Sequence, residues 1–168
     1  MHRHGRPMTR ESNSRRTLVS AAIVFATGLG TGFFPIAPAT FTSALVTVAT
    51  WWIWPVSFAA ETILIAVLLP FAIWTSGVTE RHLGHDAHPI VIDEVAGQLI
   101  ALWMLPREVG WIAAGFFLFR LFDVWKPLGI FALQRLPGGF GVVSDDVLAG
   151  FYARLVLLAA AFLGAQLG

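Results

Sequence analysis

Five long apolar segments, separated by short polar stretches, make up most of this 168-residue chain. They cover residues 39–56, 58–76, 90–105, 109–122 and 147–167. Hydrophobic residues form 57% of the chain and charged residues only 12%, which is about half of the ~25% usual in a soluble domain. A soluble protein of this size would need far more polar surface to cover its core. We therefore expect a membrane protein, because a soluble globule, a disordered chain and a nucleic-acid binder all fit poorly.

The fold class follows from the pattern within these segments. None of them alternates apolar and polar residues as the strands of a membrane barrel do, so each is predicted to be a helix. The chain is accordingly predicted to be an all-α, polytopic membrane bundle with about five spans. It contains no cysteine, which excludes disulfides, thiolate metal sites and a cysteine nucleophile.

A basic tail and a short apolar element precede the five segments. The apolar run from Leu18 to Ala26 has about half of the ~20 residues that a helix needs to cross the hydrocarbon layer. Glycines and prolines then break the element, residues 18–41, so we predict that it is re-entrant or interfacial and is retained. The chain thus divides into a basic polar tail, residues 1–17, and a membrane-embedded domain, residues 18–168.

The positions of arginine and lysine predict how the bundle is oriented. With the basic tail in the cytoplasm, five crossings place loops 77–90 and 125–146 on that same side. Arg81, Lys126 and Arg135 then all lie in cytoplasmic loops. This orientation also brings acidic residues from three separate polar stretches to one membrane face: Asp86, Asp93, Glu94, Asp123, Asp145 and Asp146.

Two adjacent carboxylate pairs stand out in this acidic group. Asp93 and Glu94 are predicted to open a helix, with Gly97 one turn beyond, where a backbone or a ligand can approach closely. Taken singly, this pair is explained equally well by the helix dipole, and Asp145 with Asp146 by N-capping. Two pairs at one face favour a divalent cation, because hard cations bind several carboxylate oxygens and burying unpaired charges is costly.

A third acidic residue lies between two cations near the end of an apolar segment. Arg120, Asp123 and Lys126 follow each other at intervals of three, hence along one face of a helix. A surface salt-bridge ladder explains this spacing, but contributes only tenths of a kcal/mol. The spacing also suits a phosphate and metal site, in which the cations hold phosphoryl oxygens and the acid holds the ion.

Three weaker signals complete the set of candidates. The glycine-rich loop at residues 28–43 offers backbone N–H groups to an anion, although its glycines equally permit tight helix packing; its hydroxyls belong to Thr31, Thr40, Thr42 and Ser43. A three-residue spacing separates His82, His85 and His88. This spacing suggests a zinc site, but we interpret the segment as a solvated loop. Arg154 lies two turns into the last predicted helix, where it either snorkels or pairs with an acid.

Four stretches together resemble the bacterial phosphatidylglycerophosphatase A family, over about residues 20–165. The first contains Ala37-Pro38-x-Thr40-Phe41-x-Ser43, and the second is Ile92-Asp93-Glu94-Val95-Ala96-Gly97. The third is Phe119-Arg120-Leu121-Phe122-Asp123-Val124-Trp125-Lys126-Pro127, and the fourth covers residues 136–150 around Ser144-Asp145-Asp146. The family usually has glycine where this chain has Ala39 and Thr42, which weakens a backbone role for that loop.

The resemblance implies an integral enzyme of the bacterial inner membrane, multi-pass, with its active site on the cytoplasmic side. It implies removal of the terminal phosphate of phosphatidylglycerophosphate in a Mg²⁺-dependent reaction that gives phosphatidylglycerol. Together with the residue patterns it assigns catalysis and metal binding to Asp93, Glu94, Asp123, Asp145 and Asp146, with Asp86 as a further possible ligand. The residues assigned to the substrate phosphate are Arg120, Lys126, Thr40 and Ser43.

Several alternatives stay open from the sequence. The nucleophile is either a metal-bound water or an aspartate, and we favour water because no phospho-aspartate motif is present. A cation transporter or channel would need carboxylates deep within facing helices, whereas these lie at segment ends. A transferase for nucleotide-activated lipids, another lipid-phosphate enzyme and a structural membrane subunit are the remaining candidates.

Overall fold

The structure, a computed structural model, describes residues 10–53, 57–84, 87–127 and 129–167. Within these ranges the chain is all-α, as predicted, and no strand is found. The helices are α1 Arg10–Ala26, a 3-10 segment Gly28–Phe33, α2 Pro38–Ile53, α3 Phe58–Leu83, α4 Ile92–Leu102, α5 Val109–Trp125, α6 Ile130–Leu133 and α7 Gly139–Leu167.

Five of these helices, α2 to α5 and α7, overlap the five predicted apolar segments. By length and composition α3 and α7 can cross a membrane. The 11 residues of α4 extend only about 16 Å at ~1.5 Å per residue, which is about half of the ~30 Å hydrocarbon layer. The two long helices support membrane association of the chain.

The boundaries of three elements differ from the prediction. α1 begins at Arg10, so it includes part of the predicted polar tail, and α3 continues through the predicted loop to Leu83. α7 begins at Gly139, which places Asp145 and Asp146 about two turns into the helix. These two residues therefore do not cap the helix. The predicted break after α1 is confirmed, because Leu29 and Gly30 have φ values of 56° and 97°.

Glycines allow α7 to pack closely against both α3 and α4. A β-carbon on Gly77 of α3 would lie 3.2 Å from the backbone nitrogen of Gly139. A β-carbon on Gly150 of α7 would overlap the carbonyl oxygen of Gly97 in α4. The first turns of α7 thus pack against the last turns of α3 and the first turns of α4.

The segment before α2 packs against the residues that lead into α4. The N–H of Val91 donates to the carbonyl of Ala26 at 2.9 Å, and a β-carbon on Gly32 would overlap the carbonyl oxygen of Pro89. α2, α4 and α7 therefore begin, and α3 and α5 finish, at one end of the bundle. We call it the acidic end, because it contains the carboxylates of Asp93, Glu94, Asp123, Asp145 and Asp146.

The outer surface of the bundle differs from that of a water-soluble protein. Large apolar side chains lie on the outside, among them Trp52 at 78% exposure, Ile36 at 76% and Val124 at 73%. Carboxylates at the acidic end are buried. An apolar surface this extensive is typical of a protein that contacts lipid or another apolar partner.

Candidate active site

The crossing of α4 and α7 brings three carboxylates together. Asp93 lies one helical turn before Gly97, and Asp146 lies one turn before Gly150. Because the two glycines contact each other, the side chains one turn earlier meet as well. Oxygens of Asp93, Glu94 and Asp146 all lie within 4.8 Å of one another.

This carboxylate cluster is buried and only partly hydrogen-bonded. Asp93, Glu94 and Asp146 are 7%, 9% and 4% exposed. Asp93 Oδ1 accepts the backbone N–H of Glu94 at 3.1 Å. In the described part of the chain Glu94 Oε2 and Asp146 Oδ2 have no hydrogen-bond partner. Buried carboxylate oxygens are rarely left in this way without a ligand.

Two further carboxylates join the cluster from α5 and α7, each paired with a cation. Arg120 Nη1 lies 2.6 Å from Asp123 Oδ2, one turn apart on α5. Lys126 Nζ lies 3.4 Å from Asp123 Oδ1 and 2.5 Å from Asp145 Oδ2. Lys126 thus links α5 to α7, with its backbone in the left-handed region at φ 48°.

Five buried carboxylates face two cations, so negative charge is in excess at the acidic end. Burial alone would lower the pKa of Lys126, but the hydrogen bond and the charge of Asp145 outweigh burial and raise that pKa above its ordinary value. Lys126 is therefore a permanent cation, and the acids lack enough counter-charge.

The donor set suits a divalent cation. Hard cations such as Mg²⁺ take carboxylate oxygens at ~2.0–2.1 Å, so that two oxygens on opposite sides of the ion are about 4.2 Å apart. The 4.8 Å spread of the oxygens of Asp93, Glu94 and Asp146 is close to that spacing. Asp145 Oδ1 also has no hydrogen-bond partner among the described residues. The buried acidic cluster thus fits a metal ion.

The other predicted site residues lie apart from this cluster or are already engaged. Thr40 is exposed, and Ser43 is buried with its hydroxyl donating to the carbonyl of Ala39 at 3.0 Å. The hydroxyls of Thr31 and Thr42 hydrogen-bond to each other at 2.9 Å. Asp86 and His85 lie outside the described residues, and His82 and His88 are exposed. His82 is on the last turn of α3, not in the predicted loop.

Three buried polar side chains were not singled out from the sequence. Gln98 is fully buried in α4, one turn after Glu94, and Ser76 and Thr79 are fully buried near the end of α3. The amide atoms of Gln98 and both hydroxyls have no partner among the described residues. The sequence signal that could have identified Gln98 is a side-chain amide within the otherwise apolar α4 sequence. Ser76 and Thr79 gave no such signal, because hydroxyl groups are common in apolar helices.

Arg154 contacts a turn at the opposite end of the bundle. Its Nη2 donates to the carbonyl of Met104 at 3.4 Å, and the N–H of Met104 donates to Glu61 Oε2 at 2.9 Å. The observed partner of Arg154 is thus a backbone carbonyl on a neighbouring segment, whereas the sequence predicted either snorkelling or pairing with an acid.

Comparison with known proteins gives one family. The phosphatidylglycerophosphatase A family matches residues 24–161. A protein of Bacteroides thetaiotaomicron named as a phosphatidylinositol-3-phosphatase is 36% identical over 146 residues, covering 82% of this chain and 92% of its own length. Phosphatidylglycerophosphatase A of Escherichia coli is 31% identical over 150 residues, 87% of each chain.

A shorter match supports the same family. Phosphatidylglycerophosphatase A of Haemophilus influenzae is 46% identical over 77 residues, which cover 45% of this chain and 47% of the relative. No solved structure matches the chain. The matched region contains both carboxylate pairs, Arg120, Asp123 and Lys126. The chain belongs to the phosphatidylglycerophosphatase A family, whose members are lipid phosphatases.

Proposed function

We propose that the chain hydrolyses the terminal phosphomonoester of phosphatidylglycerophosphate with Mg²⁺, giving phosphatidylglycerol and phosphate. The excess of buried carboxylates over cations at the acidic end carries this proposal, because such a cluster needs a metal ion to offset its charge. The acids lie in the first two turns of α4 and α7 and the last turn of α5. Their position at helix ends favours an enzyme at the membrane face over the transporter alternative.

In this proposal Asp93, Glu94 and Asp146 hold the metal, with Asp123 and Asp145 completing the acidic set. When bound, Mg²⁺ supplies positive charge that stabilises the phosphoryl oxygens as negative charge develops on them. The glycine contact between α4 and α7 holds the first three carboxylates in place. The number of ions that this set holds is a matter for metal titration.

Arg120 and Lys126 bind the phosphoryl oxygens of the substrate. Both are charge-assisted donors, and Asp123 forms an ion pair with each of them, so that it orients the two cations. Their side chains are 14% and 22% exposed, which gives a headgroup access to them. Thr40, which is exposed at the start of α2, is a secondary donor in this proposal. The prediction that Ser43 is a second such donor is not kept, because its buried hydroxyl already donates to the carbonyl of Ala39.

The proposed reaction is an attack of water on phosphorus. The new bond joins the water oxygen to phosphorus, and the bond from phosphorus to the glycerol oxygen breaks. A carboxylate of the cluster takes the proton of the attacking water and then donates it to the departing glycerol oxygen, which leaves as an alcohol. No aspartate becomes covalently phosphorylated.

A second substrate has a specific observation in its favour. The Bacteroides thetaiotaomicron relative is named as acting on phosphatidylinositol 3-phosphate. That lipid carries a phosphomonoester on an inositol ring instead of glycerol. The same metal and the same cationic side chains would serve either headgroup. The two substrates are therefore distinguished by comparing hydrolysis of the two lipids directly.

The first experiment measures phosphate release by purified protein in detergent from both lipids, with Mg²⁺ and with a chelator. Asp123→Asn and Asp146→Asn are compared with Glu108→Gln, which removes a carboxylate from an exposed position before α5. We expect metal-dependent release that both aspartate variants lose and the control keeps. Release that persists in the chelator, or in both folded aspartate variants, would contradict the proposed site.

We further propose a multi-pass inner-membrane protein with the acidic end in the cytoplasm and five crossings, which contain α2 to α5 and α7. Because α4 alone is too short to cross, the residues that flank it, within the predicted segment 90–105, complete its crossing. α4 is buried along its length, so it would lie within the bundle without contacting lipid. Arg81, Lys126 and Arg135 come from the segments at the acidic end, in agreement with the excess of basic residues on the cytoplasmic side.

The absence of cysteine makes this topology testable. Single substitutions Leu136→Cys, beside the start of α7, and Glu108→Cys, before α5, place one thiol at each end of the bundle. An impermeant maleimide is expected to label Glu108→Cys in spheroplasts and Leu136→Cys only in inverted vesicles. The reverse labelling would place the acidic end outside the cell, and labelling of both on one side would contradict the crossings.

A further inference from the structure

We propose that an apolar groove between α2 and α5 binds an acyl chain of the lipid substrate while its phosphate lies at Arg120. This inference rests on the proposed lipid phosphatase function and adds to it a binding site for the part of the substrate that does not react. The occupant is the hydrocarbon chain of a phospholipid, entering sideways from the membrane.

The groove has a volume of about 240 Å³ and an almost purely apolar surface. The walls come from Thr47, Val48 and Trp51 of α2 and from Val109, Ile112 and Ala113 of α5. The hydroxyl of Thr47, the main polar group among these side chains, donates to the carbonyl of Ser43 at 2.8 Å. It therefore presents its methyl group without an unsatisfied donor.

The helical register of α5 connects this groove to the candidate phosphate site. Val109, Ala113, Phe116 and Arg120 follow each other at intervals of four, three and four. At about 100° per residue these positions stay on one face of the helix. The apolar wall thus continues along α5 from the groove, past Phe116, to the guanidinium of Arg120.

The register of α2 gives the same alignment on the opposite wall. Ser43, Thr47 and Trp51 are each four residues apart, so they share one face of α2. Because α2 begins and α5 finishes at the acidic end, the two helices run in opposite directions. Ser43 thus lies on the Arg120 side of the groove, and Trp51 lies deeper.

The distances suit a phospholipid. The groove begins at Ala113, about 10 Å along α5 from Arg120 at ~1.5 Å per residue. That interval leaves room for the phosphate and glycerol portions of the substrate. A chain that continues in the same direction then passes between apolar walls, and it is favoured there because its methylene groups leave contact with water during transfer.

Two other apolar grooves do not have this alignment. One, of about 330 Å³, is lined on α2 by Thr42, Leu45 and Ala49, which face away from the Ser43–Thr47 side. The other, of about 350 Å³, contacts α7 through Ser144 and Val147. Most residues of α7 that line it are directed away from Asp146, from which Ser144 and Val147 are offset by about 160° and 100°.

The test compares two substitutions of alanine by phenylalanine, each narrowing a different groove. Ala113→Phe narrows the proposed acyl groove, and Ala49→Phe narrows the groove on the other side of α2. The substrates are dipalmitoyl and dihexanoyl phosphatidylglycerophosphate, in mixed micelles. When the phosphate of the dihexanoyl lipid is bound at Arg120, its acyl chains are too short to fill the groove. The rate of hydrolysis of this lipid therefore reports on the reaction alone.

We expect Ala113→Phe to raise KM for the dipalmitoyl lipid about tenfold, equivalent to displacing about two methylene groups. The kcat/KM of Ala113→Phe for the dihexanoyl lipid is expected within about twofold of wild type. The kcat/KM of Ala49→Phe is expected within the same range for both lipids, because neither substitution alters the contacts that the lipid in question makes. An equal loss for both lipids in Ala113→Phe, or a larger chain-length effect in Ala49→Phe, would overturn the proposal.

A second measurement does not depend on the variants or on turnover. A photoreactive diazirine near the end of the palmitoyl chain is crosslinked to wild-type protein, and labelled peptides are mapped. Adducts on 47–51 or 109–113 support the acyl groove, and adducts confined to other segments contradict it. A wild-type protein that hydrolyses neither lipid would instead refute the proposed function, which separates the two failures.

Discussion

The two ends of the bundle each contain a buried carboxylate near a cation, but the charges are balanced in different ways. At the opposite end Glu61 accepts the N–H of Met104, and Arg154 donates to the carbonyl of the same residue. Both charged groups are used to hold one turn, whose backbone is left-handed with φ 57° at Met104. This arrangement is complete without a ligand.

The acidic end is incomplete by the same standard. Five buried carboxylates face Arg120 and Lys126, and several of the carboxylate oxygens have no hydrogen-bond partner within the described ranges. A structural network satisfies its buried groups, because each unsatisfied one costs stability. The comparison supports our proposal that the acidic end binds an ion and the substrate, whereas the opposite end stabilises the fold.

The largest expected difference between the two ends comes from Asp146→Asn. We expect phosphatase activity to fall more than about 100-fold, because even outer partners of metal ligands contribute ~10–100-fold. The metal-free protein should unfold at a higher temperature than wild type, since one repelling charge is gone. Mg²⁺ should no longer raise that temperature. Thermal unfolding in detergent with and without Mg²⁺ checks this, and a wild-type-like Mg²⁺ shift would contradict the ligand assignment.

The chain's single lysine gives the second prediction. Lys126→Gln should lower activity about 100-fold, comparable to the loss of one donor to a transition-state oxyanion. It should also reduce the free energy of unfolding by about 2 kcal/mol, less than the ~3–5 kcal/mol of a fully buried pair, because the lysine side chain is 22% exposed.

A double substitution separates these two effects of Lys126. Lys126→Gln with Asp145→Asn removes both partners, so that stability should return toward the wild-type value. Because Asp145 belongs to the proposed metal site, activity is compared with that of Asp145→Asn alone. If Lys126 binds phosphate, the double variant should be less active than Asp145→Asn. Equal activity of the two would show that Lys126 only neutralises Asp145.

The third prediction concerns the backbone contact behind the carboxylates. In Gly97→Ala the new methyl group would lie 2.5 Å from the ring of Phe119 and 2.6 Å from the carbonyl of Asp146. We expect a loss of about 1–3 kcal/mol in unfolding free energy, and weaker Mg²⁺ binding because α4 and α7 move apart. Gly110→Ala is the matched control, since open space surrounds it; unchanged Mg²⁺ affinity in Gly97→Ala would contradict this role.

The smallest effect is expected at the opposite end. Glu61→Gln keeps an oxygen for the N–H of Met104 but loses the attraction to Arg154. The free energy of unfolding should fall by about 1 kcal/mol, as for one net hydrogen bond, and activity per folded molecule should stay within about twofold. A large loss of kcat with unchanged stability would mean that the two ends are functionally coupled.

The sequence predicted the helical class, the approximate position of five helices and the residues that meet at the acidic end. The signals for these features are local: apolar length, paired acids at the start of α4, and the three-residue spacing from Arg120 to Lys126. Such signals depend on few neighbours and can be recognised without tertiary contacts.

The features that were not predicted depend on tertiary packing. A loop is predicted over residues 125–146, which contain a Pro-Gly-Gly sequence of the kind that usually ends a helix. Yet α7 begins within that range, at Gly139, where its backbone packs against Ile73 and Gly77. Glu61 and Met104 are 43 positions apart, and no local pattern joins them. The same is true of Gly97 and Gly150, whose contact sets the register of α4 on α7.

This glycine contact has a consequence for the energetics of ligand capture. Asp93 and Asp146 each lie one turn from the crossing, so their separation is set by two touching backbones and not by mobile side-chain packing. Bringing the carboxylates together costs conformational entropy, and this cost is met when the chain folds. Little further conformational entropy is therefore lost when an ion binds. The repulsion among the acids is a cost that folding carries in advance, and ion binding recovers it as affinity.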